Sequence, residues 1–181
     1  MVHAAAKASA DPIGAVLGPS AWWDVDGHAE SKWCAEEGEV VVDMLKQLAA
    51  AGVVAPNLYV ITPFRVVAQG LKARLREEEL LFARLGIDDP RDWIMDRVGT
   101  IHTFQGKEAD AVIAVLGAPK AAQQGARGWA SGTPNILNVM VSRAKARLYV
   151  VGSRAAWGGM GNARDMAGRL PPAESTLPHT L

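Results

Sequence analysis

The stretch Ile101–Asp110, IHTFQGKEAD, decides how this chain folds and what it can do. It crowds Thr, Gln, Gly, Lys, Glu and Asp against the apolar run Val112–Leu116. A second block, Asn138–Gly152 (NVMVSRAKARLYVVG), repeats the arrangement: Arg143, Lys145 and Arg147 precede the apolar Leu148–Val151. Rigid strands flanked by polar loops are how a parallel α/β sheet aims chemical groups. Cations, amides and carboxylates in such loops suit phosphate and nucleic-acid chemistry. Taken singly, either block is also readable as a polar turn or a helix with a solvated basic face. The two together, in this order, are harder to explain that way.

Working outward, hydrophobic spacing predicts alternating strands and helices. Leu58–Thr62 reads as a buried strand, and Pro63 forces the chain out of it. Upstream, Val41, Leu45, Leu48 and Ala49 form a helical stripe over Ala35–Ala50, stopped at Gly52. Trp22–Val25 reads as a short strand. Downstream, Val66–Leu85 reads as one long amphipathic helix, with Leu71, Leu75 and Leu81 inward and a charged face over Arg74–Glu79. Val98–Thr103 and Ala111–Gly117 are strands on either side of a Gln105-Gly106 turn. Ala118–Thr133 reads as a loop, Pro134 opens a helix over Asn135–Ala144, and Leu148–Gly152 is the last strand. Such alternation predicts an α/β fold with a doubly wound parallel sheet. The expected organisation is an irregular segment over 1–20, one domain over 21–157 and a tail over 158–181.

Composition narrows the function. A chain of 181 residues is an ordinary single domain, able to bury roughly 70% of its unfolded surface. Acids and bases balance at 19 each, which argues against a strongly basic nucleic-acid coat, so any such contact must be a local track. No segment approaches the ~20 apolar residues of a membrane span, and the first twenty residues lack the apolar core of a secretory signal. Cys34 is the only cysteine; it permits no internal disulfide and suits a reducing, cytoplasmic setting. The His residues are scattered, without metal-ligand spacing. A phosphate-binding P-loop needs G-x-x-x-x-G-K-[ST]. Gly106-Lys107 is followed by Glu108 instead, and Ile101 stands where the first Gly should. No strand ends in a D-E pair to hold Mg²⁺.

The two blocks resemble motifs V and VI of superfamily 1 helicases, in the Upf1-like and Dna2-like branch. That family reads approximately T-[VI]-[DH]-[ST]-F-Q-G-[KR]-E-x-D-x-[VI]-[IV], matched across Thr100–Ile113. It then reads N-V-A-[LV]-[ST]-R-A-[KR]-x-x-[LI]-x-[IV]-x-G, matched across Asn138–Gly152, with Met140 where Ala is usual. Tyr59–Leu71 (YVITPFRVVAQGL) resembles motif IV. Trp22–Val41 resembles the approach to it, with Cys34 in place of Asn, Gly38 in place of Ala, and Glu37 kept. The resemblance implies a three-layer RecA-like domain, namely the second motor lobe, without a P-loop.

Residue roles follow from the resemblance. Arg143 corresponds to the arginine that reaches the γ-phosphate from across the interlobe cleft; its alternative is a surface ion pair. Glu108 corresponds to the acid that hydrogen-bonds the nucleotide ribose, and Gly106 allows close backbone approach there. Gln105 lies between the nucleotide and nucleic-acid sides and would couple them, or is simply a turn amide. Thr100 and Thr103 resemble strand-end hydroxyls that contact a nucleic-acid phosphate, with plain strand residues as the alternative. Arg65 occupies the basic position of motif IV and is expected to contact a nucleotide phosphate. The match weakens there: Val67 replaces the family's Gln, and Ala68 stands where some relatives carry an arginine. His102 reads as a strand residue. Of Trp22 and Trp23, which face opposite ways on a strand, at most one is core; the other is expected to pack on a neighbouring lobe, and base stacking is also open to the pair.

The implied function is that of the second motor lobe of an ATP-dependent helicase or translocase. Its partners would be a P-loop lobe, in the same or a separate polypeptide, and single-stranded DNA or RNA. ATP and Mg²⁺ would bind only when the lobes are joined, so the chain alone is expected to bind neither and to hydrolyse no ATP. The alternative is a non-enzymatic nucleic-acid-binding or interaction module that kept the fold and lost the motor.

Overall fold

A computed structural model describes residues 10–29, 31–132 and 134–174. Among these, β1 (Ala21–Asp24), β2 (Leu58–Thr62), β3 (Val98–Thr100), β4 (Ala109–Val115) and β5 (Ala144–Gly152) form one sheet in the order β1-β5-β4-β2-β3. Every pairing is parallel. Such a sheet needs covering on both faces, so its inner strands read as nearly unbroken apolar runs. All five residues of β2 are buried, and in β4 only Asp110 is exposed.

Helices cover the two faces as separate layers. The helices α1 (Pro12–Leu17), α2 (Ala35–Ala50), α3 (Arg65–Leu75), α4 (Glu79–Arg84) and α5 (Pro90–Arg97) pack among themselves. On the other face lie α6 (Gln124–Gly132), α7 (Pro134–Ser142), α8 (Arg154–Trp157) and α9 (Gly161–Arg169). Trp22, Trp157, Tyr149, Phe82 and Phe104 are the largest fully buried side chains. The expected α/β class is therefore observed, with α2 and β2 on their expected residues.

Several elements differ from the sequence reading. The single helix over Val66–Leu85 is two, α3 and α4. Leu71/Leu75 and Leu81/Leu85 each repeat at four residues, but Leu75 and Leu81 are six apart, which turns them to different faces of one helix. The chain breaks between the pairs. Glu77 and Glu78 close the turn onto the carbonyls of Arg74 and Leu75, while Arg74 reaches Glu39 at 2.5 Å and Glu78 at 2.9 Å. Helix α5 was not anticipated, although Asp89 caps it through Asp92 N–H at 3.0 Å and Pro90 opens it. The strand expected over Val98–Thr103 ends at Thr100, and Ile101–Phe104 form a 3-10 turn.

Helix α6 occupies what reads as a loop. Its Gly-rich composition is a poor helix former, and tertiary packing overrides that. Arg127 is buried and donates to the carbonyls of Ala118 and Lys120, at 2.7 and 2.6 Å, fastening α6 to the segment after β4. At the N-terminal end, Pro12–Leu17 is helical rather than irregular, capped by Asp11, whose carboxylate takes the Gly14 N–H at 2.8 Å. Arg147 Nε also reaches Asp11, at 2.6 Å, tying α1 to β5. Helix α9, in the expected tail, packs on α6 and α7.

Candidate functional site

Register alone brings the two informative blocks together. Ala109 pairs with Ala144 at the N-terminal ends of β4 and β5, so Glu108 and Arg143, each one residue earlier, become neighbours. The Ala109 N–H donates to the Arg143 carbonyl at 2.9 Å, and Arg143 Nη1 donates to the Lys107 carbonyl at 3.3 Å. Arg143 Nε is buried without a hydrogen-bond partner among the described residues. Lys145 Nζ lies 4.0 Å from Glu108 Oε2, with both side chains more than half exposed. The Arg143 guanidinium and the exposed Glu108 carboxylate thus start from adjacent strand ends, with Lys145 nearest to the carboxylate.

The loop entering this end is a type II turn. Lys107 N–H donates to the Phe104 carbonyl at 3.0 Å, with Gln105 at φ −58°, ψ 121° and Gly106 at φ 73°. That positive φ is why glycine is needed at this position. Gln105 and Gly106 are both exposed, so the main chain here is open to a ligand.

A second cluster lies at the opposite end of the sheet. Thr62 pairs with Thr100 at the C-terminal ends of β2 and β3. The Thr62 hydroxyl accepts the Phe64 N–H at 3.3 Å and shapes the turn into α3. A groove of about 700 Å³ opens there, lined among others by Lys32, Phe64, Arg65, Thr100, His102 and Trp129. Because Ile61 pairs with Ala114, Thr100 stands level with Val115. Six strand steps separate that level from Ala109, a distance of ~20 Å.

The expected site residues thus fall into two groups. Glu108 and Arg143 meet at the N-terminal end, with Gly106 and Gln105 on the turn leading to it. Thr100 lines the groove at the C-terminal end. Thr103 does not: it is half-buried and covers Gly99, where an added Cβ would meet its Oγ1 at 2.5 Å. Arg65 does not join the Arg143 group but lies on the groove with Thr100. Ala68 is buried in α3. Trp22 is fully buried, its Nε1 donating to the Gly152 carbonyl at 3.0 Å, so it cannot stack on a base. Trp23 is half-buried and packs edge-on against Tyr149, with ring centroids 5.4 Å apart.

Two groove residues, Lys32 and Trp129, carry no signal in the sequence. Lys32 is held over the end of β4 by its own carbonyl, which accepts the Ala118 N–H at 2.8 Å. Glu37 braces the same corner by accepting the Gly117 N–H at 2.9 Å. Burial pushes the Glu37 carboxyl up to about 7 and the neighbouring Cys34 thiol up to about 12. No cluster of metal-ligating side chains occurs among the described residues.

A family model described as an AAA domain matches residues 14–155. The chain belongs to this family. Its domain is found in Upf1-like superfamily 1 helicases, so the chain is a helicase-family domain with a RecA-like α/β fold. No curated protein matches the chain. Both ends of the sheet lie within the matched AAA domain, whereas α9 lies beyond it. None of the described helices is long and apolar enough to cross a membrane.

Proposed function

We propose that this AAA domain is the second motor lobe of an ATP-dependent superfamily 1 helicase or translocase of the Upf1-like/Dna2-like branch. Its N-terminal sheet end would complete the nucleotide site of a P-loop lobe, and its C-terminal end would carry part of a single-strand track. The observation that carries this reading is the placement of Glu108 and Arg143 next to the paired Ala109 and Ala144 at one end of the sheet, with Thr100 and the basic groove ~20 Å away at the other. The segment 101–108 runs from one end to the other, which is what coupling nucleotide state to strand grip requires.

The Arg143 group fits a nucleotide phosphate. Arg143 Nη1 is held only by a weak, exposed 3.3 Å bond to the Lys107 carbonyl, so the terminal nitrogens, unlike the buried Nε, can turn to a ligand. A planar guanidinium spans two phosphate oxygens in a way an ammonium does not. Glu108 would accept from the ribose hydroxyls, and the open Gln105-Gly106 main chain would let the nucleotide approach. When bound, ATP with Mg²⁺ on the P-loop lobe would supply the phosphoryl group whose cleavage drives movement. Arg65, by its position, would serve the strand rather than the nucleotide. The test is reconstitution with a P-loop lobe: single-strand-stimulated ATP turnover should appear only when both lobes are present, and its persistence without this one would refute the proposal.

A further inference from the structure

We infer that Trp129 is a base-stacking platform at the C-terminal groove, so that this lobe grips a single strand by a base as well as by phosphates. The inference rests on the track proposed above and adds a contact that Thr100 and Arg65 do not supply.

Three aromatic rings stand in a row. Trp157 is fully buried and fixed by its Nε1 hydrogen bond to the Gly117 carbonyl at 2.8 Å. Phe64 lies 6.2 Å from it, and Trp129 lies 6.2 Å beyond Phe64, at interplanar angles of 47° and 33°. The inner two rings are buried, whereas Trp129 is 55% exposed. An indole held half in water on a rigid aromatic backing presents a flat face that a planar ligand can cover at little cost in side-chain freedom. The surrounding charges select what that is. Lys32 sits over Phe64 at 5.4 Å to the ring centroid, Arg65 is exposed on the same groove, and no acid among the described residues lines it. Cations beside a bare aromatic face match a phosphate next to a planar base, the recipe by which single strands are held without sequence preference.

The experiment measures binding of the whole chain, at low ionic strength, to an oligothymidylate and to an abasic strand of equal length. Phosphates are the same in both, so the ratio of affinities isolates the base contact. The wild type should prefer the base-bearing strand. Trp129→Ala should lower affinity for that strand by roughly 5- to 150-fold and leave abasic binding nearly unchanged, while Trp129→Phe keeps part of the preference. Arg65→Gln should weaken both strands alike and reduce the salt slope by ~0.7. A Trp129→Ala chain that binds both strands as the wild type does overturns the stacking role and leaves the track intact, as expected if a protein lobe covers the indole. A wild-type chain that binds neither strand overturns the track itself.

Discussion

Arg143 and Ala109 are joined main chain to main chain: the Ala109 N–H donates to the Arg143 carbonyl at 2.9 Å, the bond that makes Ala109–Ala144 the first pair of the β4–β5 ladder. The guanidinium therefore leaves a backbone held by the sheet, and Glu108 precedes the other half of the same bond. Two groups 35 residues apart in the chain gain a fixed separation without any direct contact between their side chains.

Glu108 should act on nucleotide affinity and not on chemistry. A ribose contact is made equally before and during phosphoryl transfer, so its loss raises KM without lowering kcat. In the two-lobe motor, Glu108→Ala should raise KM for ATP by roughly 10- to 150-fold, the cost of one charge-assisted hydrogen bond. A fall in kcat at unchanged KM would contradict the assignment.

Glu37 makes stability depend on pH. Its carboxyl has an ordinary value of 4.5 and is raised by burial to about 7 in the fold. Between those values the folded chain holds a proton that the unfolded chain has released. The contribution is thus complete below pH ~4.5 and lost as pH rises through about 7, on the order of 3 kcal/mol in all. Cys34, pushed to about 12, does not titrate in this window. Glu37→Gln keeps an acceptor for the Gly117 N–H and removes the titration, so urea unfolding should show the variant gaining on wild type between pH 5 and pH 8. Parallel pH profiles for the two would rule this out.

What the sequence made legible was local. The stripe of α2, the five apolar residues of β2 and the polar turn at Gln105-Gly106 each follow from spacing or turn chemistry within a few residues. Long-range relations were not legible. That Arg65, which follows β2, falls at the opposite end from Glu108 and Arg143, which precede β4 and β5, depends on every pairing being parallel. Helix α6 was hidden because its stability comes from the buried Arg127 and from contacts with α7 and α9 and not from propensity. Trp129 was hidden with it. The resemblance to motif VI pointed to Arg143, but only parallel pairing set it beside Glu108.

Gly38 departs from the family pattern, and the structure shows why. Trp33 lies between α2 and α3, where a Cβ at Gly38 would meet its ring at 2.5 Å and one at Gly70 would also collide with it. Gly38→Ala should therefore destabilise the fold by about 1–3 kcal/mol, despite the better helix propensity of alanine. Gly168, in α9, has open space around its Cβ position, and Gly168→Ala should stabilise by up to ~1 kcal/mol. Denaturant midpoints moving the same way for both variants would show that Trp33 yields freely.

The chain alone should not hydrolyse ATP. It lacks the glycine-rich cradle and the hydroxyl that hold phosphates and Mg²⁺ in a P-loop, and Arg143 and Glu108 cannot replace them. Single-strand-stimulated phosphate release by the pure chain, above a no-protein control, would refute the half-site account.

Turnover of the two-lobe motor carrying Arg143→Ala tests the central claim most directly. An arginine that stabilises charge on a departing phosphoryl group is worth ~10³–10⁵ in rate, so kcat should fall by that order while single-strand affinity stays near wild type. Arg143→Lys should recover little, having the charge without the fork. Arg147→Ala serves as the control, since Arg147 is engaged with Asp11 at 2.6 Å and its loss should cost about 1 kcal/mol of stability with turnover retained. If Arg143→Ala turned over ATP at the wild-type rate while Arg147→Ala abolished it, the finger would be misassigned and the account would fail.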